Sequence, residues 1–176
     1  MKIREVIATL NRMRADGVIT RYAIGGAVGA TFYLEPIATL DIDVFVPLQP
    51  SSGHRIASLS PIYSYVTARG CRLEGEYVVM SDWLVQFLPA TGPLMEEALA
   101  EAREFDIDGE NAIVFGPEHL TAIALQTGRA KDKGRVLQFL EAGILDRQRL
   151  DAIIERHGLK RHWLRYGRQF REDDEV

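Results

Sequence analysis

The sequence predicts an α/β (α+β) fold, a small mixed β-sheet with flanking helices followed by a helical C-terminal part. Three observations carry this expectation. Up to Gly116 the apolar residues switch repeatedly between helical spacing and short strand-like runs. From Pro117 onward the spacing is helical throughout. Repeated strand–helix–strand units, which would build a doubly wound parallel sheet, are lacking. The expected division is an α/β core over 1–116 and a helical part over 117–176 packed on it.

Taken in order, Ile3, Val6, Ile7, Leu10 and Met13 mark a first amphipathic helix that Asp16-Gly17 ends. Tyr22-Ala23-Ile24 is a short apolar strand running into Gly25-Gly26. Small and aromatic residues from Ala27 to Glu35 predict a second, buried helix halted by Pro36. Leu40 to Val46 reads as a strand closed by Pro47. Gly53 to Ala68 has helical character, with a break or kink expected at Pro61. After Gly70, Tyr77–Met80 and Trp83–Leu88 predict two strands about Ser81-Asp82. Leu94, Met95, Ala98, Leu99 and Ala102 predict a helix, and Asp108-Gly109 a turn before the strand Ala112–Phe115. Pro117 suits a first helical position, Gly143 a helix end, and Asp146 and Gly158 bracket another helix.

At 47% hydrophobic and 26% charged the chain has an ordinary globular composition, and its net charge of -4 provides no global field for nucleic acid. An RNA contact would need a local patch. The candidate is the segment holding Arg156, Lys160, Arg161, Arg165 and Arg168, with His157, His162, Trp163 and Tyr166 among them. The plainer reading is a solvated helix face whose Trp163 and Leu164 pack on the core. Cys71 is the single cysteine, which excludes an intrachain disulfide and a cysteine-based zinc site. His54, His119, His157 and His162 lack metal-site spacing and are expected as surface or capping residues. The N-terminus interleaves charge with apolar residues, and no apolar run approaches the roughly 20 residues of a membrane span. A cytoplasmic location without a membrane partner is the expectation.

Leu40-Asp41-Ile42-Asp43-Val44 is the most informative stretch. On a strand, residues two apart share a face, so both carboxylates project together. Two like charges beside Val44, Phe45 and Val46 are costly unless a divalent cation sits between them. Mg²⁺ takes one or two carboxylates together with substrate phosphates. Upstream, Gly25-Gly26 follows a strand and opens a helix, where a phosphate can approach the backbone and meet free N–H groups. Gly25-Gly26-Ala27-Val28-Gly29 does not fit the dinucleotide-binding spacing.

Tyr22-Ala23-Ile24-Gly25-Gly26-Ala27 followed by Thr39-Leu40-Asp41-Ile42-Asp43-Val44 resembles the signature of the nucleotidyltransferase superfamily, with its polymerase β-like fold. Gly116-Pro117-Glu118-His119-Leu120 leading to Gly128-Arg129-Ala130-Lys131-Asp132 resembles the Arg-x-Lys-Asp element of minimal AbiEii-like members, several of them toxins of toxin–antitoxin pairs. Together the resemblance spans Tyr22 to Leu140. It implies that Asp41 and Asp43 are catalytic acids holding Mg²⁺, with Mn²⁺ as an alternative. It further implies that Gly25, Gly26 and Thr39 bind the nucleotide, and that Lys131 contacts the triphosphate. Arg129 lies nearby, and Asp132 serves as polar support or a catalytic group. A lysine is a compact charge suited to phosphate, and an arginine binds one bidentately.

The implied reaction transfers a nucleoside monophosphate from an NTP to an RNA, protein or small-molecule acceptor. A tRNA acceptor and an antitoxin protein are the partners a toxin-type enzyme would have. Two features depart from the pattern. Gln86 stands where the strand Trp83–Leu88 should carry a third carboxylate, with Glu76 or Asp82 available only in another register. Pro36-Ile37-Ala38 replaces an arginine often found before the acidic strand. Gln86 therefore also admits a catalytically degenerate domain that binds nucleotide or a partner.

Overall fold

The computed structural model describes residues 3–36, 39, 41–48 and 58–173, the last five by backbone alone. Helix α1 (Ile3–Ala15) buries the stripe Val6, Ile7, Leu10 and Met13, three or four residues apart or adjacent on one face as the spacing requires. Strand β1 (Ala23–Ile24) follows, and Tyr22 just before it locks α1 to the sheet. Its hydroxyl donates to Asn11 Oδ1 at 3.1 Å, while Asn11 Nδ2 donates to the Asn111 carbonyl at 3.1 Å.

Helix α2 (Gly26–Ala30) is a little over one turn, where a helix running to Glu35 was expected. Thr31 and the aromatic pair Phe32-Tyr33 leave the helix in turns, and the Thr31 hydroxyl donates back to the Val28 carbonyl at 2.7 Å. Strand β2 (Asp41–Val46) comes next. Helix α3 (Ser60–Ala68) holds Pro61 in its first turn instead of breaking there, because a first-turn proline lacks an N–H that would be unpaired anyway. The expected extension back to Gly53 lies outside the described residues.

Strands β3 (Arg72–Glu74), β4 (Tyr77–Met80) and β5 (Trp83–Pro89) form an antiparallel meander. After helix α4 (Pro93–Ala100), strands β6 (Arg103–Ile107) and β7 (Glu110–Val114) make a second hairpin. Neither β3 nor β6 was expected from the sequence, and both are outermost strands. Their composition, Arg-Leu-Glu and Arg-Glu-Phe-Asp-Ile, is the charged pattern that keeps a sheet edge from pairing with other chains.

Among the described residues the sheet has seven strands in the order β3-β4-β5-β2-β1-β7-β6. Central β2 runs parallel to β5 and antiparallel to β1, while β1 and β7 are parallel. Helices α5 (Pro117–Thr127), α6 (Ala130–Glu141), α7 (Arg147–Arg156) and α8 (Lys160–Asp173) complete the chain. Helix α5 bridges two buried clusters. Leu120 joins the cluster under the sheet, and Ala124 and Leu125 join that of the C-terminal helices. Trp163 stacks on Tyr166 with ring centroids 6.0 Å apart, but Leu164 is 54% exposed and does not pack on the core as expected. Among the described residues no helix is long and apolar enough to cross a membrane.

Charged side chains also tie α4, α5 and α7 together. Glu97 accepts from Arg156 through both oxygens, at 2.8 and 2.7 Å, and meets His119 Nε2 at 3.0 Å and His157 Nε2 at 2.9 Å. His157 caps α7 as expected, whereas His119 is fully buried and not a surface residue. Arg156 above all, then the two histidines, hold the Glu97 carboxyl well below the usual range against the opposing effect of burial. A depressed native pKa means that the stabilisation is present above the ordinary carboxylate value and fades as pH falls beneath it. Melting temperature is therefore expected to drop below about pH 4.5 in the wild type and to vary less there in Glu97→Gln; identical pH profiles would refute this.

Candidate active site

The site is built where β2, the β1–α2 turn and the start of α6 converge. Asp41 and Asp43 alternate with buried Ile42 and Val44, so the strand's pleat sends both carboxylates to one face. Thr39 Oγ1 donates to Asp41 Oδ1, fixing that carboxylate from the preceding segment. Burial, then the charge of Asp41, raises the Asp43 pKa above its ordinary value. Lys131, Arg135 and Arg129 oppose the rise without cancelling it. Burial therefore makes the ionised form of Asp43 costly in the metal-free protein.

Gly25-Gly26 serves this carboxylate directly. The Gly25 N–H donates to the Asp43 carbonyl at 2.9 Å, so it is spent on the sheet. Gly26 has φ +58°, and a Cβ there would lie 1.9 Å from Asp43 Oδ2. The absence of a side chain at Gly26 is what lets Asp43 rest against the turn.

The cations arrive from the opposite wall. Gly128 ends α5 in the left-handed region at φ +68°, which turns the chain so that Arg129 caps α6. Asp132 is 2% exposed and accepts from Arg129 Nε at 2.7 Å, with Arg135 Nη1 at 3.7 Å. Its carboxylate is therefore committed to holding two arginines, and Lys131 between them is exposed.

Two adjoining cavities share this centre. One of about 330 Å³ is lined by Ala27, Thr39, Gln138 and the charged groups Asp41, Asp43, Arg129, Lys131 and Arg135. The other, about 490 Å³, shares those charged groups and extends over Gly26, Gln86, Tyr77 and Glu76 onto an apolar floor that includes Phe45, Leu88 and Phe115. Every candidate metal- or nucleotide-binding residue except Gly25 thus lines one cavity or both. Reading the sequence missed Arg135, whose signal was its place one helical turn after Lys131. It also missed Tyr77, which becomes a site residue only through strand pairing.

Gln86 lies directly beside Asp43 in the β2–β5 register, where a third acid would stand. Asp82 sits at the far end of the β4–β5 hairpin, whereas Glu76 reaches the larger cavity without any change of register. Cys71 is outside both cavities, and burial pushes its thiol pKa up, away from nucleophilic use. Glu97, Glu101 and His119 bring ligand atoms within 4.8 Å of one another. Arg156 on Glu97 and Arg149 on Glu101, each at 2.7 Å, already occupy those carboxylates as ion-pair partners.

No protein-family model matches the sequence, and no match was found among curated proteins. Solved structures do match in fold. The antigenic nucleotidyltransferase-like protein from Paracoccidioides brasiliensis superposes with a TM-score of 0.60 at 13% identity, over 90% of this chain and 88% of that one. ANT(2'')-Ia in complex with adenylyl-2''-tobramycin gives 0.54 at 16% identity, over 91% and 98%. The solution structure of this antibiotic-resistance factor gives 0.56 at 15%, over 95% and 97%. The chain therefore has a nucleotidyltransferase-like fold, a mixed sheet flanked by helices.

Proposed function

We propose that this chain is a metal-dependent nucleotidyltransferase that moves a nucleoside monophosphate from an NTP to a hydroxyl-bearing acceptor. The observation that carries the reading is the meeting of Asp41 and Asp43 with Arg129, Lys131 and Arg135 at the junction of two cavities. Hard carboxylate oxygens on one wall fit Mg²⁺ or Mn²⁺, and three cations on the other fit a polyphosphate. Nearly all the described candidates fall at one place in a fold shared with nucleotidyltransferases.

The smaller, more basic cavity would take the triphosphate and the larger one the acceptor. Asp41 and Asp43 would hold the ion, and the Thr39 hydroxyl donates to the Asp41 carboxylate and limits its rotation. The bound ion would neutralise phosphate charge and favour attack on the α-phosphorus. Gly26 and Ala27 offer backbone to the phosphates, since the Gly25 N–H is occupied. Lys131 would offset charge growing on pyrophosphate, and Arg129 and Arg135, held by Asp132, would clamp its oxygens. The partly apolar larger cavity suits a small-molecule acceptor, and ANT(2'')-Ia was captured with an adenylylated small molecule. The toxin-type alternative assigns an RNA acceptor to the exposed Lys160, Arg161 and Arg165 of α8, with an antitoxin as partner.

The test is pyrophosphate release and label transfer from each α-labelled NTP with Mg²⁺, offering tobramycin or total cellular RNA. Label moving onto an acceptor in the wild type and not in Asp41→Ala/Asp43→Ala is the expected result. Gln86 in place of an acid favours a second reading, a non-catalytic nucleotide-binding domain. Mg²⁺-dependent nucleotide binding with no pyrophosphate release would establish that one.

A further inference from the structure

Nucleotidyl transfer requires the acceptor hydroxyl to lose its proton, and the cavity holds few groups able to take it. Asp41 and Asp43 are committed to the cation in the reading above, on which this inference rests. Asp132 is locked between Arg129 and Arg135. Among the described residues no histidine lines either cavity shared by the acids. Gln86 has no basic form. The Tyr77 hydroxyl keeps its proton, because burial first, then the negative charges of Glu76, Asp41 and Asp43, push its pKa up.

Among the described residues that line the two cavities, one carboxylate is left. Glu76 follows Gly75, whose φ of +62° makes the tight β3–β4 turn, and its side chain lines the larger cavity. Among the described residues it forms no ion pair. The strand pairings lay out a row across one face of the sheet: Asp43 on β2, Gln86 beside it on β5, and Tyr77 beside that on β4. Two strand spacings separate the ends of this row, about 10 Å. That gap leaves room for an acceptor hydroxyl over Gln86, whose amide can hydrogen-bond to it. Glu76 is exposed, so a proton taken up there has a direct route to water.

We propose that Glu76 is the general base of the transfer, supplied from the β3–β4 turn in place of the acid that β5 lacks. The acceptor O–H proton passes to the Glu76 carboxylate as the acceptor oxygen bonds to the α-phosphorus. The bond from the α-phosphorus to the bridging oxygen breaks, and pyrophosphate leaves with that electron pair. Glu76 then returns the proton to solvent. Gln86 positions the hydroxyl and takes no part in proton transfer.

The experiment compares wild type, Glu76→Gln and Glu76→Asp for kcat against pH, using whichever of tobramycin or total RNA the wild type labels. Binding of Mn²⁺ and of a non-hydrolysable ATP analogue is measured on the same proteins. The titratable and charged groups near Glu76 or sharing its cavity are Tyr77 beside it, Tyr63 of α3, and Asp41, Asp43, Asp132, Arg129, Lys131 and Arg135. These are unchanged in every variant. Glu76→Gln is expected to lose about a hundredfold or more in kcat, with the acidic limb of the profile flattened and both ligands bound as before. Glu76→Asp should recover part of the rate and the limb. A near wild-type rate in Glu76→Gln, or an acidic limb retained when Mg²⁺ is saturating at every pH and Asp43 stays ion-bound, overturns the assignment. Parallel loss of Mn²⁺ binding also overturns it, making Glu76 a metal ligand. A wild type that releases no pyrophosphate with either acceptor removes the transferase reading itself and the base with it.

Discussion

Asp43→Asn is expected to lose transfer activity by about a thousandfold or more while the metal-free protein becomes no less stable. The two halves of this result have one origin. Asp43 is raised in pKa by burial and by Asp41, so in the native state its ionised form is disfavoured relative to the unfolded chain. Between the ordinary carboxylate pKa, about 3.9, and the raised native value, the folded state binds more protons. Stability contributed by the protonated acid is complete below the ordinary pKa and is lost as pH rises through the native one. At neutral pH the metal-free wild type bears that cost, and asparagine removes it without changing shape. Mg²⁺ reverses the comparison, because a cation between Asp41 and Asp43 stabilises only the protein that can hold it. Thermal melts with and without Mg²⁺, alongside the labelling assay, check both halves. An Asp43→Asn protein that still gains melting temperature from Mg²⁺, or still transfers label, would show that the ion is held elsewhere.

Gly26→Ala is expected to damage both stability and the site. It combines two effects. At φ +58° an alanine pays about 1 kcal/mol or more for the left-handed conformation. Its Cβ would also stand 1.9 Å from Asp43 Oδ2 and 2.9 Å from Asp43 Cγ, so the carboxylate has to leave its position. We expect a loss of roughly 1–3 kcal/mol in stability together with loss of Mn²⁺ binding and of activity. The contact itself is tested by repeating the substitution in an Asp43→Ala background. Less destabilisation there identifies the overlap with the carboxylate, while equal destabilisation in both backgrounds would leave only backbone strain. At Gly25 the obstruction is different, the Phe45 ring at 2.6 Å and the Phe115 ring at 3.0 Å. The Gly25 substitution is expected to disturb packing of the core more than the acid pair.

The acidic pair was legible in the sequence because its determinants are local. A two-residue period puts Asp41 and Asp43 on one face whatever surrounds the strand, and a glycine turn after an apolar strand is written in consecutive residues. The α1 stripe, the first-turn proline of α5 and the acid cap of α7 at Asp146 are local in the same sense. The Asp146 side chain accepts from the Arg149 N–H at 3.0 Å, as its position before the helix implies. Helix α2 was overextended because its continuation past Ala30 depends on packing, and strands β3 and β6 went unseen. An edge strand of alternating charge has the composition of a loop until a neighbour pairs with it. For the same reason His119 looked like a surface residue, although Glu97 of another helix makes its burial tolerable.

What the sequence by itself determined was the chemistry available: two carboxylates on one strand face, a side-chain-free turn and a cluster of cations beyond Gly128. What only the tertiary structure decided was their assembly. Parallel pairing of β2 with β5 sets Gln86, not an acid, beside Asp43. Pairing of β5 with β4 brings Tyr77 into the same row, and the turn before it delivers Glu76 to the cavity. The reversal at Gly128 turns Arg129, Lys131 and Arg135 toward an acid pair nearly ninety positions earlier in the chain. No residue spacing encodes these placements, since each depends on which strand neighbours which and at what register, and that is settled by burial of the whole sheet.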